Sequence, residues 1–144
     1  MKNFEILKVS SIKEVPKEFF RSNSIFPQGS STMLPAGKVI ELVVKDIEPI
    51  LLFTKDGVKR KLQYLCKDAN GVIHRVNAQQ FYDMKTALSS ESRGQGKAEI
   101  EIGSKITAVS RPYNMEGRSG QYLVVLTQVE NPVEKPEEEE EEIF

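Results

Sequence analysis

Between residues 58 and 67, Lys59, Lys61, Gln63 and Lys67 alternate with Val58, Leu62, Tyr64 and Cys66. On a β-strand this alternation sends the polar set to one face and the apolar set to the other. Arg60 breaks the pattern and could reach round the rim of the fold. His74 and Arg75 follow on the next stretch, and Arg111, Tyr113, Arg118 and Tyr122 bound a later loop. Cations beside aromatic rings can pair with phosphates and stack bases, each ring contributing about 1–3 kcal/mol per base. Tyr113, beside Pro112 and a Gly-containing loop, is the first aromatic to suit that role, and Phe53 is the second. The bland reading is that alternating lysines form the solvent face of a half-exposed sheet. Tyr64 lies on the apolar parity and reads as core, and Tyr122 is ambiguous for the same reason.

Catalytic chemistry finds less support. His74 is the only histidine, so neither a two-histidine metal site nor a histidine relay can be assembled. Cys66 is the only cysteine, which excludes an internal disulfide, and on a strand it reads as a small buried hydrophobe. No glycine loop of the phosphate-cradling type occurs, and the carboxylates lack metal-binding spacing. A binding protein is expected, not an enzyme, with no cofactor and no metal. No apolar run approaches a membrane span and no basic-then-apolar leader is visible, so no membrane association and an intracellular, cytoplasmic setting are expected.

The charge is distributed unevenly. The chain of 144 residues has 20 Lys and Arg against 21 Asp and Glu. From Glu134 onward there are seven glutamates and one lysine, leaving residues 1–133 with 19 basic and 14 acidic side chains, a net of +5. A basic body is thus tethered to an acidic tail, an arrangement that suits a polyanion and lets the tail compete for the same surface. The tail contains six consecutive glutamates, Glu137 to Glu142, and stops on Ile143 and Phe144. Like charges repel and leave such a run solvated. An apolar pair at its tip adds nothing to solubility, but it fits a partner with an apolar pocket and a basic rim for the carboxylate.

These groups must be positioned by a mostly β scaffold. Residues 4–9 read as a short strand, and residues 10–36 as a Ser- and Pro-rich extension whose Phe19, Phe20 and Phe26 would cover the core or an oligomer interface. Residues 37–54 read as one long strand bent at Pro49, since proline removes a ladder hydrogen bond. Asp56-Gly57 signals a hairpin into a strand over 58–67, and residues 68–71 a second hairpin into 72–76. Asn77, with Gln80 in capping-box position, predicts a helix over 78–89 with Ala78, Phe81, Met84 and Leu88 on one face. A polar loop over 89–95, a strand over 98–113 broken near Gly103, a flexible loop over 114–120 and a last strand over 121–130 complete the pattern. The order is that of an all-β OB-fold, a five-stranded Greek-key barrel with a helix between its third and fourth strands. The domain plan is then an N-terminal extension (1–36), the barrel (37–130), and a linker with acidic tail (131–144).

The tail resembles that of the single-stranded DNA-binding proteins of bacteria and their phages, through Glu137 to Glu142 with Ile143 and Phe144. The bacterial members end in Ile-Pro-Phe, whereas Ile143 and Phe144 adjoin directly. This chain also has no Trp, and its linker (131–136) is short. Those departures bring it closer to short-tailed phage members. The resemblance implies sequence-tolerant binding of single-stranded DNA in replication, recombination and repair. It also implies that Glu140, Glu141, Glu142, Ile143 and Phe144 recruit replication and recombination proteins, and that the tail weakly occupies the DNA groove. An RNA-binding OB factor and a protein–protein adaptor are the rival readings.

Overall fold

A computed structural model describes residues 3–21, 32–89, 94–115 and 117–126 of the chain, excluding the side chains of Arg21, Asn114, Met115 and Arg118. Six strands carry most of them: β1 (Phe4–Ile6), β2 (Val39–Thr54), β3 (Gly57–Lys67), β4 (Ile73–Tyr82), β5 (Lys105–Met115) and β6 (Arg118–Leu126). Two single-turn helices, α1 (Glu18–Arg21) and α2 (Met84–Ala87), and a 3-10 turn at Ile12–Glu14 complete the order. Phe26 and the whole acidic tail lie outside the described residues.

The strands form one sheet in the order β1-β2-β3-β4-β6-β5, and β2 also pairs with β5, so five strands close into a ring. All pairs are antiparallel except β4 with β6. Closure depends on the length of β2. Its first residues, Val39–Val43, pair with β5, and its remainder from Val43 to Thr54 pairs with β3. A single strand can serve two neighbours in succession only if it curls, and an irregularity between Val44 and Asp46 supplies the bend.

That bend is not at Pro49, as the sequence suggests. Pro49 pairs in register with Leu62, and its carbonyl accepts from the Leu7 N–H at 2.9 Å. The N–H and C=O of a strand residue point to the same side, so the missing donor faces the edge beside β1 and the β2–β3 ladder loses nothing. β1 itself is shorter than the expected 4–9.

Of the expected helix over 78–89, only Met84–Ala87 is helical, and the first residues of that span belong to β4. β4 continues through Ala78 to Tyr82, where Phe81 and Tyr82 pair with Val125 and Leu126. The ladder to β6 satisfies backbone groups that a helix there would turn away from the sheet, and tertiary pairing overrides local propensity. Asn77 therefore caps no helix. Asp83 does, its carboxylate accepting from the Thr86 N–H at 2.6 Å, and α2 is a single turn. The fourth ring strand likewise starts at Lys105 and not at residue 98. Residues 98–101 are drawn into other contacts. The Tyr64 hydroxyl donates to the Ala98 carbonyl at 2.6 Å and accepts from the Ile100 N–H at 2.9 Å. The Glu101 carboxylate accepts from the Ser11 hydroxyl and the Ile12 N–H at 2.7 and 2.9 Å. The loop expected over 114–120 is instead a tight hairpin, Met115 pairing with Arg118, with Gly117 at φ 80° where side-chain-bearing residues are strained.

Strand alternation separates two faces. Leu62, Tyr64, Cys66, Val76, Ala78 and Leu123 point into one apolar cluster. The N-terminal segment closes it, with Ile12, Val15, Phe19 and Phe20 buried in the same cluster. Tyr64 ties this core to the 98–100 segment through its hydroxyl. Tyr64→Phe leaves the Ala98 carbonyl and the Ile100 N–H without that partner, and stability falls by about 1–3 kcal/mol. Urea unfolding checks this, with an unchanged m-value expected.

Candidate nucleic-acid interface

The face turned away from the core is built by residues of opposite parity. Across β1, β2 and β3 it carries the rows Phe4–Leu52–Lys59 and Ile6–Ile50–Lys61, then Glu48–Gln63, which continues to Asn77 on β4. Arg75 precedes Asn77 and pairs with Leu65, while Asn77 pairs with Val124 of β6. Val109, Arg111 and Tyr113 of β5 face Val124, Tyr122 and Gly120. One wall therefore passes from apolar to basic to amide to aromatic character.

The candidate residues occupy this wall in different ways. Lys59 is exposed and lies on the outward parity, as the alternation predicts. Arg60, half-buried, sits on the inward parity opposite Leu51, near the end of the hairpin, and its carbonyl accepts from the Gln79 amide at 3.3 Å. Lys61 faces outward but is only 2% exposed. Burial, with the Arg75 charge second and against the pull of Glu48, lowers its pKa from 10.5 to about 8. Arg75 is exposed, and its Nε lies 4.0 Å from Glu48 Oε1. Phe53 is exposed at the end of β2, on the opposite parity from Lys59 and beside Val58. Arg118 opens β6, and its side chain lies outside the described residues.

Around the second loop the geometry is aromatic and close. Tyr113 is partly buried, with its ring 6.1 Å from that of the fully buried Tyr122 at an interplanar angle of 57°. It covers Gly120, where an added Cβ would stand 2.8 Å from its hydroxyl and 3.0 Å from its ring. Burial raises the Tyr122 pKa. Arg111 is 1% exposed. Its guanidinium lies 4.7 Å from the Tyr82 ring centre and donates to the Thr86 carbonyl at 2.9 Å. Its position under α2 gives it a structural task, adding a charged donor to the Thr86 carbonyl, which also accepts from the Ser89 N–H at 3.1 Å, at the C-terminal end of the helix.

Sequence reasoning missed Phe4, Glu48, Asn77 and Gln79 as wall residues. Phe4 and Ile6 are 48% and 42% exposed on the row that leads to the lysines. Asn77 and Gln79 became visible only once β4 was extended, because a helix reading assigns them another geometry. His74 pairs with Asp68 at 2.9 Å, and Asp68 also accepts from the Asn70 and Val72 N–H groups, so that pair fastens the β3–β4 turn. Cys66 is buried in the core, and burial pushes its thiol pKa up to about 12. Among the described residues no cluster of His, Cys, Asp and Glu could hold a metal ion, and no helix is long and apolar enough to cross a membrane. Comparison with protein-family models, with curated proteins and with solved structures found no match.

Lys61 makes the burial of this face measurable. Folded, it binds its proton more weakly than unfolded, so between about pH 8 and the ordinary 10.5 the unfolded chain holds more protons and stability rises with pH. Above the ordinary thiol value of 9.0 the raised Cys66 pKa acts in the opposite direction. From pH 7 to 9, the wild type should gain about 1 kcal/mol relative to Lys61→Met. Paired urea titrations at the two pH values check it.

Proposed function

We propose that this chain binds single-stranded DNA without strong dependence on sequence, and that its five-strand ring is an OB-type barrel. The strand order, with one parallel pair between the third and fifth ring strands and a helix between the third and fourth, supports the barrel reading. Barrels of this type take oligonucleotides across their second and third strands, flanked by the loops joining strands 1–2 and 4–5. Here those strands are β3 and β4, flanked by the turn at 55–56 and by the connection from β5 to β6.

The observation that carries the proposal is the composition of that wall. Lys59 and Arg75 stand exposed on it, Lys61 lies beneath them, and the Tyr113–Tyr122 pair closes its far side. Cations on a strand can follow a phosphate backbone, and rings accept any base because every base has a π face. The net +5 of residues 1–133 adds long-range attraction. The tail complements this design: its glutamates compete for the basic wall, and Glu140–Phe144 recruits replication and recombination proteins through the apolar tip.

Fluorescence anisotropy of labelled oligo-dT, titrated at several salt concentrations, tests the proposal. Binding should be tight and selective against duplex, and the log–log salt slope should be about −0.7 per phosphate contacted. Removal of residues 134–144 should tighten binding at low salt and abolish partner recruitment. Lys59→Ala and Arg75→Ala should each make the salt slope shallower. Preference for oligo-U would transfer the reading to RNA. Absence of binding by both the full chain and the shortened one would leave a protein–protein adaptor.

A further inference from the structure

We propose that the cleft between Lys67 and Lys105 is a second phosphate-binding site, taking single-stranded nucleic acid that has crossed the wall. This inference rests on the nucleic-acid role proposed above. Lys67 belongs to the same alternating series on β3 as Lys59 and Lys61, at its far end. Along the strand it lies about 27 Å from Lys59. Between them Arg75 of β4 stands exposed opposite Leu65, so cations recur along the whole outward row.

Lys67 is placed where β2 changes partners. Val43 is directly opposite Lys67 on one side and Lys105 on the other. Residues so paired share a face, and their neighbours Leu42, Cys66 and Ile106 are buried in the core. The two lysines therefore project outward on either side of Val43, from strands about 10 Å apart. A cleft of about 500 Å³ opens there, its lining including Glu41, Val43, Lys67, Asp68, Lys105 and Thr107. Glu41, Lys67 and Lys105 are exposed, and Val43, Asp68 and Thr107 partly so, which leaves the site accessible from solvent.

The charges in the cleft are not equivalent. Asp68 is engaged by its own turn: Oδ1 accepts from the Asn70 and Val72 N–H groups, and Oδ2 pairs with His74 at 2.9 Å. Neither lysine forms an ion pair among the described residues. Glu41 faces Thr107 on the adjoining row, so phosphate is favoured over Val43 and disfavoured beyond it. Two ammonium groups on flexible stems suit a phosphodiester backbone, which carries a charge at every nucleotide. Val43 between them offers an apolar surface to the sugars. Continuity with the wall along one strand assigns the cleft to the same ligand.

Two measurements on the full-length protein test the cleft. In the first, oligo-dT of about 16 nucleotides, the upper end of the span one such domain covers, is titrated by anisotropy at several salt concentrations. Lys67→Gln with Lys105→Gln should weaken binding and make the log–log salt slope shallower by about 1.4, two phosphates at about 0.7 each. Lys13→Gln with Lys17→Gln, the same charge change on the N-terminal segment, should leave the slope as in the wild type. In the second, lysines are acetylated with and without oligo-dT and read by peptide mass spectrometry. Lys67 and Lys105 should be protected together with Lys59, while Lys13 and Lys17 react equally in both states. An unchanged slope in the cleft variant, or protection of Lys59 without Lys67 and Lys105, overturns the cleft and leaves single-strand binding standing. An equal slope change in both variants reports long-range charge alone and overturns it too. Failure of the wild type to bind oligo-dT overturns this inference and the proposed function together.

Discussion

The molecule depends on one strand serving two partners. β2 spans 16 residues, Val39 to Thr54, and Val43 pairs on one side with Lys67 of β3 and on the other with Lys105 of β5. Every other pairing in the ring follows from that double duty. A straight strand could not turn from β5 to β3, and the irregularity between Val44 and Asp46 falls just past the residue where the partners change. Val44 itself is fully buried, and its N–H and C=O bond to Ser104 and Gly103, so the bend is held by backbone contacts and packing together. The same bend sets the outward register in which Glu48, Ile50 and Leu52 face Gln63, Lys61 and Lys59.

The two faces that this register creates are stabilised by different physics. The inner face is largely apolar, and the hydroxyl of its buried Tyr64 lies between two backbone groups. The outer face buries Lys61, Gln63, Asn77, Gln79 and Arg111 to within a few per cent of full burial. Their solutions differ. Arg111 lies over a ring and meets the carbonyl end of α2, so its charge is used to hold a helix that is too short to stand alone. Lys61 is lodged where burial opposes its charge, and Gln63 keeps an acceptor unpaired.

Much of the scaffold could be read from the chain because its signals were local. Gly57 and Gly71 adopt positive φ at the hairpins where Asp-Gly and Asn-Gly occur, and strand alternation correctly separated Lys59 and Lys61 from Leu62 and Tyr64. The errors came where a local signal competed with a distant one. Asn77 does hydrogen-bond a nearby N–H, that of Gln79 at 3.1 Å, but inside a strand and not at a helix start. The apolar spacing of Ala78, Phe81 and Met84 fits a helix, yet Ala78 and Phe81 belong to a strand whose partner lies more than forty residues on. Burial of Lys61 was equally illegible, because alternation gives direction and not depth. Depth is set by neighbouring strands and their side chains, which no window on β3 contains.

Consistency across levels also indicates where the chain is not built for stability alone. Replacing buried polar groups by apolar ones of similar shape is often neutral or stabilising, so retained ones call for a reason. Arg111 has a structural reason within the fold. Lys61 and Gln63 face the wall that crosses β3 and β4, on the same side as the exposed Lys59 and Arg75. An approaching polyanion would bring phosphate charge to a lysine whose ammonium is disfavoured by burial. Under the proposed function, phosphate charge has the sign that stabilises such an ammonium, so the burial of Lys61 and binding on this wall would be linked.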